Sequence, residues 1–313
     1  MNNIKYNNKP NVLNPDFVTG LTDAEGCFSV VIRKNNKAKF KKNVGLRFQI
    51  QMLQNETELL KMVKLFFGCG VLYYSNDGFV SVSFGVQDFS SIKNKIIPHF
   101  LEYPLRGTKY LDFLAFKEAF EIIDKKEHLS QEGINKIYII SKSMNSSRKF
   151  STSSNYSPIH TKENSSNYIP ITGNYINGFI AGDGCLSINL KGKRFGLMYL
   201  SIGQHINNRL LLESIVKYFN NSAKVYSNNP NMLQINFYGA KLWDEILFPH
   251  FSNYPLQGTK KIKLNKLFII RKLIKSNNAF IKIGKCKEWK PKYVLQIRNI
   301  WKIYYTPKVI SIY

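Results

Sequence analysis

The chain carries the same segment twice. Phe17 to Val30 reads FVTGLTDAEGCFSV and Tyr175 to Ile188 reads YINGFIAGDGCLSI, so Gly20, Gly26 and Cys27 recur as Gly178, Gly184 and Cys185. Each copy has a carboxylate before its second glycine, Glu25 in one and Asp183 in the other. Further on, PHFLEYPLRGTK (Pro98 to Lys109) returns as PHFSNYPLQGTK (Pro249 to Lys260), and Leu59, Leu60, Phe66 and Phe67 return as Leu211, Leu212, Tyr218 and Phe219. A duplicated domain places two acids in equivalent positions. It suits a ligand that is itself nearly twofold, and duplex DNA is the leading candidate.

Length and charge agree with that expectation. The 313 residues accommodate two domains of about 140 residues each, within the usual size for a unit with its own core. A hydrophobic fraction of 44% and the lack of an apolar run near ~18 residues point to a soluble chain and away from a membrane partner. The formal charge of +25 is spread over the whole length and interleaved with aromatic and amide residues. That distribution favours nucleic acid over a lipid surface. Cys27, Cys69, Cys185 and Cys286 show neither CxxC spacing nor a histidine at zinc spacing, so packed, reduced thiols are expected. The start, MNNIKYNNKP, has neither the apolar stretch of a secretory leader nor the arginine bias of a transit peptide. Heavy use of Asn, Lys and Ile suggests an AT-rich coding genome, and synthesis inside an organelle is the expectation.

Local patterns repeat in step. Asn14-Pro15 caps a helix that runs to about Ala24, and Thr172 to Asn174 start its counterpart, which ends near Gly182. Strict alternation follows: Phe28, Val30 and Ile32 against Ser29, Val31 and Arg33, then Phe48 and Ile50 against Arg47, Gln49 and Gln51. In the second copy Leu186, Ile188 and Leu190 alternate with Ser187, Asn189 and Lys191, and Leu233, Ile235 and Phe237 with Gln234, Asn236 and Tyr238. Period two means sheets with one packed and one polar face. Helices at about Glu56 to Phe67 and Arg209 to Phe219, and a strand pair near Val71 to Ser75 and Phe79 to Val86, complete the pattern: helix, two strands, helix, two strands, helices. The boundaries expected are a first repeat over 1–140, a polar Ser/Asn-rich tether over 141–170, a second repeat over 171–283 and a basic, aromatic tail over 284–313 without an assigned role.

Gly20, Ala24 and Gly26 in one copy, and Gly178, Ala181, Gly182 and Gly184 in the other, would let the two opening helices meet almost backbone to backbone. Glu25 and Asp183 then emerge together. Two carboxylates about 4 Å apart repel by roughly 4 kcal/mol at an effective dielectric of 20. Divalent cations offset that repulsion and give it a purpose, since they activate water against phosphodiesters and stabilise the leaving oxygen.

This constellation resembles the LAGLIDADG homing endonucleases in their single-chain, two-repeat form, over about Asn14 to Ile140 and Thr172 to Lys275. LTDAEG and FIAGDG stand where that family's namesake motif stands. The resemblance implies an α+β fold of two pseudo-symmetric αββαββα repeats forming a DNA-binding saddle. It implies Glu25 and Asp183 as ligands of Mg2+ (or Mn2+) at the scissile phosphates, with the backbone carbonyls of Ala24 and Gly182 available as further ligands. Lys109 and Lys260, each ending a GTK segment, match the family's basic residue beside the active site. Gln204 matches a glutamine that orders water near the metals, and Met52, its partner by alignment, departs from that pattern. His99 and His250 also recur, in a setting where histidine is more often a packing residue than a catalyst. The polar strand positions become the DNA-reading face: Ser29, Arg33, Arg47, Gln49 and Gln51 on one half-site, Ser187, Asn189, Lys191, Ser201, Gln234 and Asn236 on the other.

The expected function is therefore metal-dependent, site-specific cleavage of double-stranded DNA in intron homing, by a monomer with internal pseudo-twofold symmetry encoded in a mitochondrial intron. The alternative is an intron RNA maturase on the same scaffold, with host intron RNA as the partner. A DNA-binding regulator on this fold would need neither acid.

Overall fold

The computed structural model describes residues 12–36, 42–75, 80–148, 158, 161, 166, 168–190, 196–276, 280–283 and 286–302. The chain opens with α1 (Pro15–Glu25), whose N-terminus is capped by Asn14 Oδ1 accepting from Asp16 N at 2.9 Å. It stops where Gly26 turns extended and starts β1 (Gly26–Lys34), paired antiparallel with β2 (Lys42–Leu53) in the register Gly26 to Ile50. A Cβ on Gly26 would meet Thr22 Cγ2 at 2.5 Å, so this helix-to-strand corner excludes a side chain. Next come α2 (Thr57–Phe67), ended by Gly68 at φ +61°, then β3 (Val71–Ser75) and β4 (Ser81–Val86). The strand order is β1-β2-β4-β3. A helical run follows, built of α3 (Phe89–Ser91), a π-helical turn (Ile92–Ile96) and α4 (Ile97–Glu102), and then α5 (Lys109–Asp124) and α6 (Gln131–Lys142).

The second half repeats this order. It comprises α7 (Gly173–Asp183), β5 (Gly184–Ile188), β6 (Met198–His205), α8 (Arg209–Tyr218), β7 (Val225–Asn229) and β8 (Met232–Tyr238), with strand order β5-β6-β8-β7. Then come α9 (Ala240–Leu242), the same π-helical turn (Trp243–Leu247), α10 (Phe248–Asn253) and α11 (Gly258–Lys275). A hairpin of β9 (Phe280–Ile283) and β10 (Cys286–Trp289) leads to α12 (Pro291–Lys302). The α+β duplication expected from the sequence is therefore present. Among the described residues no helix is long and apolar enough to cross a membrane.

Each repeat has its own core beneath its sheet. In the first, Phe28 stacks on Phe48 at 5.0 Å and meets Phe100, Phe113 and Phe116. In the second, fully buried Trp243, Phe179, Phe219 and Phe237 fill the corresponding space. Alternate residues of β2 (Leu46, Phe48, Ile50, Met52) and β6 (Met198, Leu200, Ile202) point into these cores, which leaves the other face of each sheet open.

Two expected boundaries are corrected. The first repeat does not end at residue 140: Met144 is buried in its core, Asn145 Nδ2 donates to Phe28 O at 2.8 Å, and Arg148 pairs with buried Asp112 at 2.8 Å. One acid on α5, which also accepts from Asn145 N, gathers a segment whose Ser/Asn composition reads as tether. The tail expected over 284–313 without a role is, in its described residues 286–302, part of the second repeat. Ile297 of α12 is fully buried in the second core, with Trp289, Ile300 and Trp301 against it, so α12 covers α11 much as α6 covers α5.

The repeats join through α1 and α7. A Cβ on Gly20 would overlap the Tyr175 carbonyl oxygen and lie 2.8 Å from its carbon, and one on Gly178 would overlap the Phe17 carbonyl oxygen and lie 2.7 Å from its carbon. Gly178→Ala is expected to force these backbones apart at a cost of about 3 kcal/mol or more, a fall in Tm of roughly 6–12 °C. Gly45→Ala is the control, because nothing among the described residues lies within 4 Å of its Cβ position. Equal melting temperatures for the two variants would refute the close-contact account.

Candidate active site and nucleic-acid interface

The C-terminal ends of α1 and α7 deliver Glu25 and Asp183 to the same point. A Cβ on Gly182 would overlap Ala24 Cβ and lie 2.8 Å from Glu25 Cγ, so the acid-bearing turn of α7 presses directly on the Ala24 and Glu25 side chains, and only a glycine fits there. Helix C-termini carry partial negative charge, which adds to that of the carboxylates. Two lysines answer it. Lys109 Nζ donates to the carbonyls of Thr22, Asp23 and Ala24 at 3.0, 3.0 and 3.1 Å, and Lys260 Nζ donates to Ala181 O at 2.7 Å and to Gly182 O. The GTK segments thus bring each ammonium to the end of its own repeat's first helix.

The titration behaviour reflects this crowding. Burial, and then Glu25 beside it, push the Asp183 carboxyl from 3.8 up to about 6, against the pull of Lys109, Lys260 and the Gln204 hydrogen bond. Burial likewise raises Glu25, opposed by the two lysines. Burial draws Lys260 down from 10.5 to about 8 and lowers Lys109, while the surrounding acids resist both shifts.

Gln204 and Met52 differ as the alignment implies. Gln204 Nε2 donates to Asp183 Oδ2 at 2.5 Å, and its Oε1 accepts from Asn208 Nδ2 at 2.7 Å, whereas Met52 is buried in the first core. Gln204 therefore holds the acid itself. His99 and His250 are buried and held neutral, each lowered from 6.5 to about 4 by desolvation, and they bond to Thr19 Oγ1 at 3.1 Å and Asn177 Oδ1 at 2.8 Å. They fasten α4 to α1 and α10 to α7, as packing residues do.

Asp23 was not anticipated. It is buried and accepts from Arg106 N at 2.6 Å, Tyr175 Oη at 2.7 Å and Gly107 N at 3.3 Å, so it fixes the first GTK loop from within the dyad. Burial outweighs these donors and raises its carboxyl. Arg106 in turn donates to Ile169 O and Pro170 O, both at 2.7 Å, which ties down the approach to α7. The signal was present in the repeat alignment: Ala181 stands opposite Asp23 and Gln257 opposite Arg106, so this pair exists only in the first copy.

The polar strand positions lie together on the open faces. On the first sheet Ser29 Oγ donates to Arg47 O at 3.3 Å, Gln49 Nε2 donates to Gln51 Oε1 and Ser83 Oγ at 3.1 and 3.2 Å, and Gln51 Nε2 donates to Ser81 Oγ at 3.2 Å. Arg33 is exposed, and Arg47 Nε is buried without a hydrogen-bond partner among the described residues. On the second, Gln234 Nε2 donates to Ser201 Oγ at 2.5 Å and Asn236 Oδ1 at 3.0 Å, and Asn236 Nδ2 donates to Tyr226 Oη. Ser187 lies on β5 and Asn189 just beyond it, while Lys191 lies outside the described residues. Tyr226 and Tyr238 are exposed on this face too; alternation had set Tyr238 there, whereas Tyr226 was missed, because an aromatic in a strand reads first as core. The cysteine expectation also needs correction: Cys27 and Cys185 are exposed and free, one residue into β1 and β5 on the open faces.

The donors suit a hard divalent cation. Glu25 and Asp183 offer carboxylate oxygens, and the Ala24 and Gly182 carbonyls, although each accepts from a lysine, keep a second lone pair. Among the described residues no group of three or more His, Cys, Asp or Glu could hold a metal, so the protein side of such a site is limited to this acid pair and backbone oxygens.

Comparison with known proteins agrees with the geometry. The sequence profile of the LAGLIDADG endonuclease family matches residues 18–120 and 176–271, and the chain belongs to that family. It is 32% identical over 269 residues to probable intron-encoded endonuclease 2 of Neurospora crassa, covering 79% of this chain and 57% of that relative. The chain thus spans little more than half of this relative's length. Its fold matches I-SmaMI bound to an uncleaved DNA target in the presence of calcium ions, with a TM-score of 0.78, 25% identity, and 92% and 98% of the two chains covered. It also matches the LAGLIDADG homing endonuclease I-LtrWI bound to target DNA, with a TM-score of 0.76, 26% identity, and coverage of 93% and 97%.

The raised Asp183 carboxyl gives a test of the site without substrate. The folded protein holds this proton more tightly than the unfolded chain does, so the associated stability is present below about pH 4 and is lost as pH rises through about 6. Near pH 8 in EDTA, Asp183→Asn should melt a few degrees above the parent, with the difference vanishing toward pH 4. A difference independent of pH would refute the assignment.

Proposed function

We propose that this chain is a site-specific endonuclease that hydrolyses both strands of a duplex DNA target with Mg2+ or Mn2+, as a monomer encoded in a mitochondrial intron. The observation that carries the reading is the convergence of Glu25 and Asp183 between two helix C-termini, each with a lysine ammonium on the preceding carbonyls. Carboxylates held together this way destabilise the protein unless cations meet them. The intron-encoded name of the Neurospora relative and the wealth of Asn, Lys and Ile support the genetic setting.

The acids and the Ala24 and Gly182 carbonyls would hold the cations at the two scissile phosphates. A divalent cation supplies Lewis acidity toward the phosphate oxygens and toward attacking water. Lys109 and Lys260 fix the helix ends and bring positive charge to the developing phosphorane, and Lys260, near 8, can exchange a proton close to neutral pH. Gln204 locks the Asp183 rotamer on one side only. The open sheet faces would read the two half-sites through the major groove, with Arg33 and Arg47 suited to guanine, and Gln49, Gln51, Gln234 and Asn236 to adenine. Hydrogen bonds between neighbouring amides and hydroxyls fix their orientation before DNA arrives. The charge of +25 draws the phosphate backbone in.

The test is incubation with the intron-free junction of the host gene and magnesium. Cleavage at one site is expected. Glu25→Gln and Asp183→Asn should abolish double-strand cutting while target affinity stays within a few-fold, because amide oxygens are poor ligands for hard cations. With ten or so phosphate contacts, log affinity should fall with log salt at a slope of about −9. Tight intron RNA binding without preference for any duplex site would overturn the reading, and so would either variant cutting at the parental rate.

A further inference from the structure

We propose that Glu56 and Asn208 are reciprocal positioning residues, each reaching from its own repeat across the dyad to fix the loop that delivers the other repeat's site lysine. The two occupy equivalent places, at the ends of the 3-10 turns Gln54–Glu56 and Ile206–Asn208 that follow β2 and β6. Glu56 accepts from Thr259 N at 3.0 Å through Oε2 and from Thr259 Oγ1 through Oε1, and Asn208 Oδ1 accepts from Thr108 N at 2.9 Å. Thr108 and Thr259 immediately precede Lys109 and Lys260. Neither GTK helix is capped by a side chain from its own N-cap residue, so the cap comes from the opposite repeat.

The fit around these caps is close. Gly258 adopts φ +66°, and a Cβ there would overlap Glu56 Oε2, while a Cβ on Gly107 would lie 3.2 Å from Asn208 Oδ1. Both glycines of the GTK segments thus make room for a side chain from the other repeat. Glu56 is buried, which is unusual for a glutamate whose only task is to end a surface turn. Asn208 has a second contact that Glu56 lacks: its Nδ2 donates to Gln204 Oε1, and Gln204 donates to Asp183. A continuous path therefore joins the Thr108 amide, beside Lys109, to the acid of the second repeat. On the other side the Glu56 carboxylate stands beside Lys260. The loop that carries each lysine is consequently capped by the partner repeat, and the first is held in addition by Asp23 of its own repeat.

This inference rests on the nuclease reading for its kinetic part, so it is tested by two readouts. The first is amide hydrogen exchange in the free protein. Glu56→Ala should speed exchange at Thr259 and Lys260 about tenfold, the loss of one hydrogen bond, with Thr108 and Lys109 unchanged. Asn208→Ala should do the reverse. The second is single-turnover cleavage, where both alanine variants should fall about 10- to 100-fold with target affinity within about twofold. Glu56→Gln keeps the acceptor for Thr259 and should restore most of the Glu56→Ala loss. Exchange rising only within the mutated repeat overturns the proposal, and so do alanine variants that cut at the parental rate. A parent that cuts no DNA but shows the crosswise exchange pattern sinks the nuclease reading and leaves the reciprocal caps standing.

Discussion

Everything in this molecule depends on the approach of α1 to α7. Two glycines, Gly20 and Gly178, let each helix seat against the backbone of the other, and a methyl group at either would occupy a carbonyl oxygen. Because the contact is made by backbone, its geometry has little freedom; side chains could change rotamer, but two main chains in contact cannot. The acids at the helix ends inherit that precision. So do the sheets, since β1 and β5 leave the helices at Gly26 and Gly184 without an intervening residue. The same contact thus sets the spacing of the site and the relative placement of the two reading faces.

The electrostatic arrangement follows from this geometry. Bringing two helix C-termini and two carboxylates together builds a negative focus inside a chain of charge +25, and among the described residues Lys109 and Lys260 reach it. They satisfy backbone carbonyls and leave the carboxylates short of partners, apart from the Gln204 bond to Asp183. Burial, and then Glu25 beside it, hold the Asp183 carboxyl up at about 6 against the pull of the two lysines and Gln204.

The duplication, the element order, both acids and both lysines were legible in the sequence, because repetition at fixed places converts weak local signals into strong ones. Gly20 and Gly178 announced the helix contact for the same reason. What escaped was held by single, unrepeated residues. Asp112 gathers residues 144–148 onto the first repeat, and nothing in a Ser/Asn-rich stretch signals that one buried acid will organise it. The role of α12 was hidden because its partner α6 shares no recognisable motif with it, although Ile297 and Trp301 are spaced four residues apart as a packed helix face requires. Asp23, Glu56 and Asn208 act across the dyad, and contacts between repeats leave no periodicity along the chain.

The asymmetries are instructive in where they fall. Both acids, both lysines and both close-packed glycines are retained in kind, whereas the residues that hold them have diverged: Gln204 faces Met52 in the alignment, Asn208 faces Glu56, and Asp23 with Arg106 faces Ala181 with Gln257. On the proposed function the acids and lysines answer to a nearly symmetric duplex and to the chemistry of cations and phosphate, which is the same on both strands. Their supports are constrained only to hold them, and many side chains can accept one backbone amide. A carboxylate at 56 and an amide at 208 both cap a threonine N–H, yet only the amide can also donate to a neighbour. Once Gln204 is present on one side, the amide at 208 joins it to the cap, while on the other side Met52 offers no such partner and the Glu56 carboxyl stands beside Lys260. Divergence in the supporting residues therefore differentiates two otherwise equivalent sites without moving either acid.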